Sequence, residues 1–142
     1  MQKASPEVIY EDPDNVFTAR FIGTPPMNVY TMKGTSIFIG YRPESVTLSR
    51  EKSSSLYVRK AKILTREMLG SETHYKVLLV QEDVNEEPKT LMIKTAQKQF
   101  AVDETIYLNV EKENLYFFDE KENRIRDGAK LEECFRMVEG GM

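Results

Sequence analysis

Four acids crowd one short stretch of this sequence: Glu82, Asp83, Glu86 and Glu87. Carboxylates at that density can hold a hard cation, which takes oxygen ligands. The stretch lacks the Asp-x-Asp-x-Asn-Gly order of a calcium loop, so it reads as a solvated turn. Nucleophilic hydrolysis needs a nucleophile, a base beside it and a group to orient the base. The chain offers one histidine, His74, and one cysteine, Cys134. His74 begins an apolar alternation and reads as a strand-start residue; Cys134 falls on an apolar helical stripe and reads as packing. No Gly-x-Ser-x-Gly elbow occurs. Lys33-Gly34-Thr35-Ser36 holds the letters of a phosphate loop in the wrong order, and a hairpin turn accounts for it better.

The best nucleic-acid signal is Arg50 to Arg66, which contains Lys52, Arg59, Lys60 and Lys62 with Tyr57 among them. On a strand, Lys60, Lys62 and Arg66 point to one face, and Tyr57 and Arg59 to the other. A basic, aromatic-bearing barrel strand can bind single-stranded nucleic acid. An OB-like single-stranded nucleic-acid-binding module is therefore the alternative function. Against it, the charges divide between two faces and the chain is acidic, with 20 Lys+Arg, 23 Asp+Glu and a formal net charge of −3. That balance argues against a dedicated duplex-DNA binder, and nucleic acid is not the expected partner. One cysteine excludes an intramolecular disulfide and a Cys-rich zinc site, and one histidine excludes a histidine-rich metal site.

These side chains must be positioned by something, and 142 residues is room for one domain or one with a short appendage. The first 22 residues read as helical. Ser5-Pro6-Glu7 combines a capping side chain, a proline for the first helical position and an acid at the positive dipole end. The first helix runs to about Asp12, before Pro13. Asp14 or Asn15 caps a second through Phe17 and Phe21, which share one face. From about Asn28 the period becomes two. Expected strands are 29–32, 36–41, 56–68, 74–81, 90–95, 105–110 and 114–118, with turn residues between them. The fold class is mainly β: an OB-like small barrel or sandwich, with short N-terminal helices and a short C-terminal helix. That last helix is expected over 130–138, with Leu131, Cys134, Phe135 and Val138 as its stripe and Gly140-Gly141 as its stop. No apolar run reaches the ~18 residues of a membrane span. The start is no signal peptide, and the cytosol is the default compartment.

The opening phrase, from Ser5-Pro6-Glu7-Val8-Ile9-Tyr10 to Gly23-Thr24-Pro25-Pro26-Met27-Asn28, resembles a junction in the ATP-binding subunits of carbohydrate-type ABC importers (the maltose, multiple-sugar and glycerol-3-phosphate group). Three further phrases follow in that family's order. Gly40-Tyr41-Arg42-Pro43-Glu44 is similar to its Gly-Ile-Arg-Pro-Glu motif. Met68-Leu69-Gly70-Ser71-Glu72-Thr73 is similar to its Leu-Gly-x-Glu-Thr hairpin. Leu115-Tyr116-Phe117-Phe118-Asp119 is similar to a strand near its C-terminus. The resemblance covers residues 5 to about 127. It implies a helical junction over 1–27, which packs on an ATPase domain, and a β regulatory domain of TOBE type over 28–142. The ATPase domain itself, with its phosphate loop, signature motif and switch histidine, is missing, so the chain reads as a fragment. Relatives usually carry more strands between the Pro-Met-Asn and the Arg-Pro-Glu phrases.

By this resemblance the chain is a regulatory and dimerisation domain that clasps two ATPase subunits together. It needs no cofactor of its own; ATP and magnesium are implied for the parent subunit. The implied partners are the missing ATPase domain, a second copy, the membrane subunits reached through the parent, and a regulatory protein or solute. The implied location is the cytoplasmic face of the cell membrane. Arg42, Glu44, Gly70, Glu72 and Thr73 are the fold-specifying or interface candidates. Val8, Ile9, Phe17, Phe21 and Ile22 are the candidates for contact with the ATPase domain or a second copy. Gly70 permits a positive φ, and Glu72 and Thr73 are placed to bond backbone groups of the same turn.

Overall fold

Alternation of period two runs through most of the chain, and strands are what it forms. A computed structural model describes residues 26–32, 35–81 and 88–140. The expected N-terminal helices and the acidic stretch 82–87 lie outside the described residues. The elements are β1 (Asn28–Thr31), β2 (Phe38–Tyr41), β3 (Thr47–Ser49), β4 (Tyr57–Leu69), β5 (Glu72–Leu79), β6 (Thr90–Thr95), β7 (Thr105–Val110), β8 (Tyr116–Phe118) and a helix, α1 (Gly128–Gly140). The fold is mainly β, with a strongly curled half-barrel sheet compatible with an OB-like barrel.

Five strands make the curled sheet in the order β3-β7-β4-β5-β6, and three make a smaller one in the order β1-β2-β8; neighbours within each are antiparallel. Inward residues of both sheets meet in one core that includes Ile39, Leu48, Ile63, Val77, Ile106, Leu108 and Phe117. The outer strands of the large sheet are finished by side chains. The Gln97 amide receives a bond from Leu48 N (2.9 Å) and returns one to Leu48 O (2.9 Å), as a partner strand of β3 would. The Asn28 amide does the same for Met92 of β6 (2.8 and 3.1 Å). Backbone groups must find partners, and here an amide side chain supplies both halves of a ladder step.

Several boundaries differ from those expected, each for a local reason. Thr47–Ser49 is a strand too short for periodicity to register; it is held by β7 and by Gln97. The last strand begins at Tyr116 because Lys112–Asn114 form a 3-10 turn. The C-terminal helix starts two residues early because Asp127 caps it: its Oδ2 accepts from Lys130 N at 3.2 Å and its carbonyl from Leu131 N at 2.9 Å. On β4 the register shifts between Ile63 and Thr65, leaving Leu64 as a bulge. A bulge inserts one residue and reverses which face each later side chain takes.

Candidate interaction surface

The bulge decides where the basic residues go. Tyr57, Arg59, Ala61 and Ile63 of β4 face the barrel interior and are buried, while Lys60 and Lys62 face out. Beyond Leu64, Arg66 lies opposite Tyr75, whose side chain is fully buried. Directly opposed residues of an antiparallel pair share a face. Arg66 is thus on the face of Arg59, not that of Lys60 and Lys62 as a continuous alternation predicts. Of the outward lysines, Lys62 sits 3.6 Å from Asp103, and Lys94 on β6 sits 3.7 Å from Glu72. Lys60 and Lys62 share the outer face of the large sheet with Lys76 of β5 and Lys94 of β6, whereas Arg59 and Arg66 are on the inner face.

β4 and β5 continue past the barrel as a hairpin. Leu69 pairs with Glu72, so Gly70-Ser71 is a two-residue turn. Gly70 has φ +67°, and Ser71 is not in the positive region, the sign pattern of a type II′ turn. The expectation for Gly70 is met: the backbone, not crowding, requires it, since a Cβ there would meet nothing within 4 Å. The expectation for its neighbours is not. The Glu72 carboxylate turns to His74 (Nε2 at 3.3 Å) and Lys94 instead of the turn backbone. The Thr73 hydroxyl is fully buried with no hydrogen-bond partner among the described residues.

Met68 and Leu69 at the hairpin tip are exposed at 51% and 44%, and Val102 at 50%. Arg66 reaches from the hairpin to the Phe100 carbonyl (3.2 Å) and to Met68 Sδ (3.1 Å). Behind it, Arg50 lies over the Phe100 ring (4.9 Å) and binds Glu104. That hydrogen bond, with help from Ala101 N, holds the Glu104 carboxyl below its ordinary range. Met68 takes the face of Arg66 and Leu69 the opposite one, so the tip carries one exposed apolar side chain on each face.

Arg42 and Glu44 lie elsewhere, at the 3-10 turn Pro43–Ser45 that follows β2 and packs against β6. Arg42 is buried and Glu44 exposed. Gly40, just before them, is a close approach: an added Cβ would stand 2.8 Å from Met27 Sδ and 3.2 Å from the Phe118 ring. Both this corner and the start of β5 meet β6, the corner by packing and Glu72 and Thr73 through Lys94 and Thr95. Val8, Ile9, Phe17, Phe21 and Ile22 lie outside the described residues.

A polar node that sequence reading missed sits in the core. The Tyr30 hydroxyl bonds those of Tyr41 (2.8 Å) and Tyr57 (2.5 Å), and Arg59 Nη1 stands 3.4 Å from the Tyr57 hydroxyl. Burial pushes Tyr30 and Tyr41 well above the usual phenol value. Three tyrosines spread over three strands leave no local signature. Among the described residues no group of three or more His, Cys, Asp or Glu side chains is placed to hold a metal ion, and no helix is long and apolar enough to cross a membrane. No protein-family model matches the sequence, and no curated protein matches it.

Proposed function

We propose that this chain is the regulatory and dimerisation domain, of TOBE type, of the ATP-binding subunit of a carbohydrate-type ABC importer, separated from its ATPase domain. The observation that carries the reading is where the three resembling phrases fall. Gly40 to Glu44 ends β2 and forms the 3-10 corner, with Gly40 at a close approach that leaves no room for a side chain. Leu69 to Thr73 closes the longest hairpin through a glycine of positive φ. Leu115 to Asp119 forms β8, the strand that joins the small sheet to the core. Two phrases supply corners and the third a largely buried strand, the fold-specifying roles a regulatory β module asks of them.

In this reading the exposed hairpin tip is the part that meets a second copy. A retained dimer turns closure of two ATPase subunits into a nearly intramolecular event. The parent subunit supplies ATP and magnesium chemistry; this chain supplies contact. The chain alone then neither binds nor hydrolyses ATP, and calorimetry with magnesium and ATP is expected to give no heat at micromolar concentration. Light scattering at high micromolar concentration is expected to give twice the chain mass, and Met68→Glu with Leu69→Lys to return a monomer of unchanged circular dichroism. A monomer mass for the wild-type chain overturns the dimerisation role. The open reading frame upstream of Met1 tests the rest: an in-frame ATPase segment supports the assignment and a stop codon directly upstream overturns it.

A further inference from the structure

α1 touches the β body differently from every strand. Its stripe of Leu131, Cys134, Phe135, Met137 and Val138 packs on the core, and Cys134 and Val138 are its only fully buried side chains within 128–138. The Phe135 ring meets Phe117 of β8 edge-on at 5.4 Å and carries the Lys112 ammonium 4.8 Å above its centre. Among the described residues, no hydrogen bond or ion pair joins residues 128–138 to the β body; the polar contacts of the helix are its own cap and one within its own turns. A cleft runs along each flank. One, of about 220 Å³, lies between the helix and Ile37, Asp119 and Ile125. The other, of about 320 Å³, lies between the helix and Leu56 and Lys112. The connection, Arg126-Asp127-Gly128, is exposed.

From these contacts we infer that α1 is a detachable strap: it opens and recloses as one unit while the β body stays folded. Proteins open in cooperative pieces, and the pieces with few buried apolar contacts open first. Every strand is tied by a ladder of backbone bonds as well as by packing. α1 is tied by packing and the Lys112–Phe135 contact, through a strip with a cleft on each side. Its cap at Asp127 belongs to the helix and survives opening, so the helix can leave intact. Opening bares an apolar strip along Phe117, Ile125 and Ile37, which gives the body a second state. This inference does not depend on the proposed function.

Cys134 is the chain's one thiol, and it is 1% exposed on the inner face of α1. Cys134 borders the cleft of about 220 Å³ but is itself almost wholly covered, and burial, then the Glu133 charge, raises its pKa, so labelling by a bulky aromatic reagent requires the helix to move. The test is the rate of labelling of the intact chain by an aromatic disulfide reagent across a urea series, beside the unfolding transition followed by circular dichroism. The expected result is labelling well below the transition, with a urea dependence much shallower than that of global unfolding. Phe135→Ala is expected to speed it by about tenfold or more. Ile106→Val, which weakens only the body, is expected to leave the labelling rate unchanged. Labelling that appears only with global unfolding, at the same urea slope, overturns the inference. So does an Ile106→Val variant whose labelling accelerates in step with its loss of stability.

Discussion

From Tyr57 to Lys62 β4 pairs with β7, from Ala61 onward it pairs with β5, and beyond the Leu64 bulge only β5 remains. Ile63 on one side of the bulge is fully buried; Leu69 on the other is 44% exposed. The two residues are nearly the same hydrocarbon on one strand of one hairpin. Their difference comes from face as well as neighbours: Ile63 points into the core, while Leu69, beyond the bulge, falls on the outer face opposite Glu72 with only β5 beside it. The same contrast holds for hydroxyls. At the barrel end of β4 the Tyr30, Tyr41 and Tyr57 hydroxyls satisfy one another, while near the hairpin tip the Thr73 hydroxyl is buried without a partner among the described residues.

The contrast is broken most directly at its two aliphatic residues. Ile63→Ala is expected to cost about 2–5 kcal/mol, the range for emptying a packed core site. Leu69→Ala is expected to stay within about 0.5 kcal/mol, as exposed sites do. Equal urea midpoints for the two variants would abolish the distinction.

Gly70→Val comes next. Its cost is backbone strain alone, about 1–3 kcal/mol, since nothing crowds the site. A Gly70→Val melting temperature equal to wild type would contradict the positive φ.

The tyrosine node sharpens the comparison through pH. Burial raises the folded-state pKa values of Tyr30 and Tyr41 above the unfolded value of about 10. The unfolded chain therefore loses protons first, so this stability is fully present below about pH 10 and falls as pH climbs through the folded values. Alkaline unfolding is expected to begin near that point and to weaken in pH dependence in Tyr41→Phe. Unchanged stability from pH 9 to 12 would show that the phenols ionise freely in the fold. Glu104 works in the opposite direction: its lowered value gives a contribution present above the ordinary carboxylate range and lost in acid.

The smallest effect is expected at Thr73. Thr73→Val removes an unpaired buried hydroxyl at nearly constant shape, and is expected to be neutral or stabilising by up to about 1 kcal/mol. A loss above that in thermal unfolding would mean that the hydroxyl is satisfied.

Much of the β order was readable, because alternation in stretches such as Thr105–Val110 and Thr90–Thr95 follows directly from one covered face. Gly70 was readable too: a glycine between two long alternations has few other uses. What escaped notice depended on groups distant in sequence. The three-residue β3 is defined by Gln97, and the tyrosine node by three separate strands. The Leu64 bulge leaves no mark in composition, yet it moved Arg66 to the other face. Asp127 was legible as a helix cap and was passed over. The candidate residues were legible only in part for the same reason: Gly70, Glu72 and Thr73 are neighbours in one turn, whereas the β6 strand that both Glu72 and the Arg42 corner meet is distant from them in sequence.

The amide stitches at Gln97 and Asn28 have a consequence for how such a chain tolerates change. A paired strand commits its partner to a register along its whole length, so an inserted residue propagates as a slip. A side-chain amide commits a single backbone residue, Leu48 or Met92. The outer edges of β3 and β6 are therefore fixed at one residue each, and register is held only on their inner sides, by β7 and β5. Descendants of this sequence are expected to keep an amide at positions 97 and 28.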